Sequence, residues 1–146
     1  MLEALGVANL PLAKRAVAWL RTVQNPDGGF GESCESYADA SKKGQGRSTP
    51  SQTAWGLIGL LAACPVTDPA VRRAATHLID RQNPDGTWDE DATTGTGFPL
   101  VFYLRYDLYR QSFPVYALAR YARLASGAHR PGAMHIISPS RRTKGE

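Results

Sequence analysis

Two stretches of the chain place apolar residues three and four apart, with polar ones between. In the first, Leu12, Ala16, Trp19, Leu20 and Val23 fall on one helical face. In the second, Val71, Ala74, Ala75, Leu78 and Ile79 do so, with Arg72, Arg73 and Asp80 directed outward. This spacing predicts two amphipathic helices. Asp68-Pro69 gives the second an N-cap and a proline at its first position. Between them, "STPSQTAWGLIGLLAA" is apolar nearly all round, which predicts an inner helix over Pro50–Ala63 buried on both sides. Thr49 is its N-cap, Pro50 its first residue and Gln52 the capping-box partner.

Each amphipathic helix ends in the same five residues. "QNPDG" stands at Gln24–Gly28 and again at Gln82–Gly86, an interval of 58, and a large aromatic follows each copy, Phe30 and Trp88. Asn-Pro-Asp-Gly suits a type I turn, with proline fixing φ at the second corner and glycine fourth. One unit is then an outer amphipathic helix, a tight turn, a loop and an inner apolar helix. Chains that alternate such helices build curved arrays or double-layered α/α barrels. The expectation is an all-α chain, a partial α/α barrel of about five helices over residues 1–126.

The apolar pattern changes character near the C-terminus. Eight of the 13 aromatic residues lie between Phe98 and Tyr121. Phe98, Phe102, Tyr106, Tyr109 and Phe113 are spaced 4, 4, 3 and 4, which predicts one continuous helical face. Such a stripe is either core or the wall of a cavity that stabilises a cation. Aromatic faces carry a negative quadrupole without a reactive lone pair, and each contact contributes roughly 0.5–2 kcal/mol.

Composition narrows the function classes. The net charge of +4 comes mostly from residues 127–146, a Gly/Pro/Ser-rich tail with four basic residues and one acidic, expected to be disordered. The body is left at +1, without a basic stripe interleaved with aromatics, which argues against nucleic acid. Cys34 and Cys64 form no metal or redox spacing. Cys34 reads as a packed thiol, and His77 has no ligand partner four residues on, so no metal or other cofactor is expected. The N-terminus lacks the pattern of a signal peptide, and reduced cytosolic thiols follow. The longest apolar run, Ala54–Cys64, is too short to span a bilayer.

The repeats "KRAVAWLRTVQNPDGGF" and "RRAATHLIDRQNPDGTW" resemble the QW repeats of triterpene cyclases, the first ending in Phe30 instead of Trp. "GESCESYADASKKGQGRSTPSQTAWGL" and "WDEDATTGTGFPLVFYLRYDLYRQSFPVYALARY" resemble the C-terminal segment of bacterial squalene–hopene cyclases, so the likeness covers roughly Leu2 to Leu124. The resemblance implies that Gln24, Phe30, Gln82 and Trp88 clamp neighbouring helices. It implies that Phe98 and Phe102, with Tyr106 and Tyr109 supporting them, line the cavity where late cations form. Leu100 and Val101 replace the small and acidic pair common there. It also implies squalene or a similar polyprene as substrate, and a cytoplasmic location with peripheral contact at the inner membrane.

The family protonates an alkene with an Asp-x-Asp-Asp motif, and none of the eight aspartates here forms one. "WDED" at Trp88–Asp91 is followed by Ala92, and Asp89 and Asp91 read as solvated loop or cap residues. The chain therefore carries no catalytic acid and is expected to be inactive alone. It would be a piece of a split enzyme or the remnant of a broken gene, with an upstream cyclase half or self-association completing it. A neighbouring reading frame encoding the acid motif would separate these two. The alternative is a non-catalytic helical module that binds a partner protein or an isoprenoid.

Overall fold

The computed structural model describes residues 10–127. Among them are four α-helices: α1 (Pro11–Thr22), α2 (Pro50–Leu61), α3 (Pro69–Asp80) and α4 (Tyr109–Ala125). A two-stranded antiparallel hairpin, β1 (Gly95–Phe98) and β2 (Phe102–Leu104), is the only sheet among the described residues. Two short 3-10 turns, Cys34–Tyr37 and Ala40–Lys42, lie in the loop ahead of α2. The fold is all-α. The basic tail expected over residues 127–146 falls, after Gly127, outside the described residues.

α2 is the centre of the molecule, packed against α4, α3 and α1. It buries Ala54, Leu57, Leu60 and Leu61, to which α3 adds Val71, Ala74, Ala75 and Leu78, α1 adds Val17 and α4 adds Ala117. Each large aliphatic side chain so buried contributes about 1.5–3 kcal/mol. The caps form largely as the sequence implies. Thr49 accepts from the Gln52 N–H, and Asp68 accepts from the Ala70 N–H. Gln52 departs from the capping box: its carboxamide bridges to Glu32, accepting from the Glu32 N–H at 2.9 Å and donating to the Glu32 carbonyl at 3.1 Å. The Thr49 N–H is instead taken by the Phe30 carbonyl.

Three expectations are corrected. The first helix buries Ala13 and Val17, whereas Leu12, Ala16 and Trp19 of the expected face are exposed, because among the described residues no helix packs on that side of α1. The inner helix α2 is largely buried between α3 and α4, as expected. On α3, Ile79 of the expected face is exposed, because it lies at the edge of that face near the helix end; the remaining exposed apolar surface is mainly on α1, on the hairpin and the loop after it, and on α4. The aromatic stripe is no continuous helix. Phe98 and Phe102 sit on opposite strands of the hairpin, Tyr106 lies in the following loop, and only Tyr109 and Phe113 are in α4.

Candidate functional site: turn clamps and an aromatic face

The first turn closes with the Gly28 N–H donating to the Asn25 carbonyl at 2.9 Å. Gln24, one residue earlier, spans from this turn to the next outer helix. Its Nε2 donates to the Gly28 carbonyl at 2.8 Å and to the Ala70 carbonyl, in the first turn of α3, at 2.9 Å. The Arg73 guanidinium donates back to Gln24 Oε1. Arg21 reinforces the tie, meeting Asp68 at 2.5 Å. The aromatic that follows is fixed as well. Its N–H donates to Thr53 Oγ1 of α2 at 3.0 Å, and the Phe30 ring lies where a Cβ on Gly56 would collide at 2.5 Å.

The second turn repeats the shape, with the Gly86 N–H donating to the Asn83 carbonyl at 2.8 Å. Trp88 is almost wholly buried and its indole N–H donates to the Leu78 carbonyl at 2.8 Å. Its backbone is held in both directions by Gln111 of α4, at 3.1 and 2.8 Å. Among the described residues Gln82 reaches only the Gly86 carbonyl of its own turn, at 2.9 Å.

Two residues joining these elements were not legible as such. His77 is buried, with Nδ1 3.1 Å from the Asp27 carbonyl, and so docks α3 onto the first turn. Glu90, inside "WDED", is buried and accepts from the Ser51 N–H at 2.9 Å and its hydroxyl at 2.8 Å, capping α2 from a distant segment. A carboxylate there also meets the positive end of the helix dipole. Asp89 and Asp91 are exposed, as read, bonding Asn83 and Arg47.

Two carboxyls at the clamp are held low. Burial pushes Asp27 up, but hydrogen bonds from the Ser48 hydroxyl and the Gly29 N–H, with His77 and Arg81 nearby, outweigh it. Burial likewise pushes Asp68 up, and the Ala70 N–H and the Arg21 guanidinium bring it below the usual carboxylate range. Burial raises the Cys64 thiol. Cys34 donates to the Thr93 carbonyl at 3.3 Å, a packed role.

The aromatic residues form two groups. Phe98 and Phe102 meet edge to face, centroids 5.6 Å apart, and are 64% and 42% exposed. Tyr106 stacks on Tyr109 at 4.7 Å, and Tyr109 meets Phe113 edge-on at 5.1 Å. Trp55 of α2 packs edge-on against both Tyr109 and Phe113, a partner that spacing along the chain could not reveal. An open apolar cavity of about 330 Å³ lies beside this group, lined by Trp19, Phe30, Cys34, Tyr37 and Trp55 among others. A polar cleft of about 580 Å³ separates the two turns. Neither is lined by Phe98, Phe102, Tyr106 or Tyr109. Among the described residues no group of His, Cys, Asp and Glu is arranged to hold a metal, and no helix is long and apolar enough to cross a membrane. Each of the two ring groups offers an electron-rich surface, and none of the described residues beside them forms an Asp-x-Asp-Asp acid.

Residues 1–123 match the family model described as the squalene-hopene cyclase C-terminal domain. The chain is 50% identical to the squalene–hopene cyclase of Zymomonas mobilis over 126 residues, which cover 83% of this chain and 19% of that protein. It is 53% identical over 91 residues to the squalene–hopene cyclase of Alicyclobacillus acidocaldarius, covering 62% of this chain and 14% of the relative. Similarity extends to the dammaradiene synthase of the fern Dryopteris crassirhizoma, at 44% over 132 residues, 80% of this chain and 19% of that one. The chain thus spans under a fifth of the length of these relatives.

Proposed function

The chain belongs to the squalene–hopene cyclase C-terminal domain family, and from that premise we propose that it forms the late-ring part of a cyclisation cavity for squalene or a similar polyprene. The observation that carries this is the match over residues 1–123, which includes Phe98, Phe102, Tyr106 and Tyr109. Those rings stabilise cations that form after the first ring closures, by cation–aromatic attraction that strengthens when water is excluded. The first step, protonation of a carbon–carbon double bond, needs a strong, desolvated acid. No residue of this chain supplies one, so the acid comes from a part of the enzyme outside these 146 residues. The exposure of Phe98 and Phe102 supports this reading, because a wall facing water is half of a cavity. The place of work is the cytoplasm, with peripheral contact at the inner membrane where a polyprene dissolves. The alternative, a non-catalytic helical module that binds a partner protein or an isoprenoid, is not favoured, since the relatives are cyclases.

The test is squalene incubated with purified chain in detergent, alone and with a co-expressed upstream chain carrying Asp-x-Asp-Asp. No cyclic triterpene is expected from the chain alone, and cyclic product is expected from the pair. In the pair, Phe98→Ala and Phe102→Ala should shift products toward less cyclised ones. Cyclic product from the chain alone would overturn the missing-acid argument and make Asp89 and Asp91 the first suspects. An unchanged product spectrum in both variants would return the aromatic face to the core reading.

A further inference from the structure

The two copies of the turn have one shape and different occupancy. Gly28 and Gly86 share a φ of +87°. At the first copy, α3 fills the site. The Ala70 carbonyl lies on Gln24, and a Cβ at Gly28 would meet the Arg73 carbonyl at 2.7 Å. At the second copy, Gln82 is exposed, and the nearest heavy atom to a Cβ at Gly86 is Gln82's own Nε2 at 3.8 Å. Among the described residues the second turn is an open socket whose plug is known from the first: a helix start with proline at its first position and arginine four residues on.

This chain carries a second such helix start. At the repeat interval of 58, Pro11, Leu12 and Arg15 of α1 stand for Pro69, Ala70 and Arg73 of α3. Arg15 has no partner among the described residues. The exposed face of α1 is the face that α3 buries: Leu12 (67% exposed), Ala16 and Trp19 stand for the buried Ala70, Ala74 and His77. The inner helices follow the same interval, since Thr53 and Gln111 both receive the N–H of the clamp aromatic. On that register, exposed Val115 of α4 stands for fully buried Leu57 of α2. Charge is complementary as well. The exposed carboxylates Asp80, Asp85 and Asp89 flank the second turn beside the single Arg81, while the start of α1 carries exposed Lys14 and Arg15 and residues 10–21 hold no acid.

We propose that copies of this chain associate head to tail, the start of α1 in one copy seating in the Gln82–Gly86 turn of another and covering α4. The Leu12 carbonyl takes the Gln82 carboxamide N–H and Arg15 donates to Gln82 Oε1, as Ala70 and Arg73 do for Gln24. The contact is heterologous, so it builds an open array unless the rotation per copy closes a ring. This goes beyond the cyclase reading and needs no substrate, so its test is independent of turnover.

The test is sedimentation velocity of the full chain over a concentration series, at low and high salt. The average mass should rise above one chain with concentration, and salt should weaken the association. Gln82→Ala and Arg15→Glu alter exposed side chains, so both should keep the helical circular dichroism of the parent, and each should weaken association by about tenfold or more. Mixed together, the two variants should form a complex of two chains and no larger, because each retains the face that the other lacks. A chain that stays monomeric throughout would overturn the proposal. So would association indifferent to both variants, or a mixture that fails to pair. A monomer that instead captures an upstream cyclase chain in a Gln82-dependent way would assign the socket to that partner and refute self-association.

Discussion

Replacing Gln24 by Ala removes three hydrogen bonds at once, two donated to the Gly28 and Ala70 carbonyls and one received from Arg73. The Ala70 carbonyl, in a helix first turn at the contact with α1, then loses its side-chain partner. The expected loss is about 1–3 kcal/mol, from three part-buried or exposed hydrogen bonds that each contribute about 0.5–1.5 kcal/mol at most. Gln82→Ala removes one bond on an exposed turn and should cost under about 0.5 kcal/mol in the single chain, as surface changes usually do. Urea unfolding of both variants, at dilutions where single chains dominate, measures the difference. Equal losses would mean that the span to α3 contributes nothing and that each glutamine merely braces its own turn.

The hairpin is where an element carries strain. Its connection runs from Phe98 to Val101, closed by the Val101 N–H on the Phe98 carbonyl at 3.0 Å, with Pro99 and Leu100 at the corners. Leu100 has a φ of 66°, the left-handed region that a turn of this kind reserves for glycine. Leu100→Gly should relieve about 1 kcal/mol. Amide hydrogen exchange at the Gly95–Leu104 pair should then slow by about fivefold, as the hairpin opens less often. Unchanged exchange would show that the turn is not what limits opening. This element also marks how far the sequence could be read. α1, α2 and α3 were legible because apolar spacing, the caps Thr49 and Asp68 and the QNPDG stops agree with one another. The hairpin was not, because spacings of 4, 4, 3 and 4 imitate a helix, although Gly95 and Gly97 just ahead of the stripe and Pro99 inside it are helix breakers. Of the site, the two turns and the aromatic residues were visible, since each is a local pattern. Trp55, His77 and Glu90 were not, because their partners lie on other elements. The buried face of α1 was misread for a related reason, since periodicity ranks faces by apolar content and says nothing about which face finds a neighbour.

At the scale of the molecule, the clamp joins one repeat to the next through carboxylates as well as carboxamides. Asp27 and Asp68 both have folded pKa values below the ordinary 3.8. Their stabilisation is therefore present above 3.8 and is lost as the pH falls through the folded values. The melting temperature should hold from neutral pH to about pH 5 and drop below pH 4. A variant carrying Asp27→Asn and Asp68→Asn should start lower at neutral pH and show a shallower acid drop; an equally steep drop would place the acid sensitivity elsewhere. The same ties have a mechanical meaning. Gln24 and Arg21 join the end of α1 to the beginning of α3 directly, passing over α2. The outer helices thus act as links of a hoop whose spacing hydrogen-bond lengths fix. A hoop of fixed circumference leaves curvature to the inner layer, where the Phe30 ring rests against Gly56. Added bulk at Gly56 would wedge the layers apart and flare the array without stretching any outer link. The bore of a completed barrel is in this sense adjusted from within, by single small residues on its inner helices.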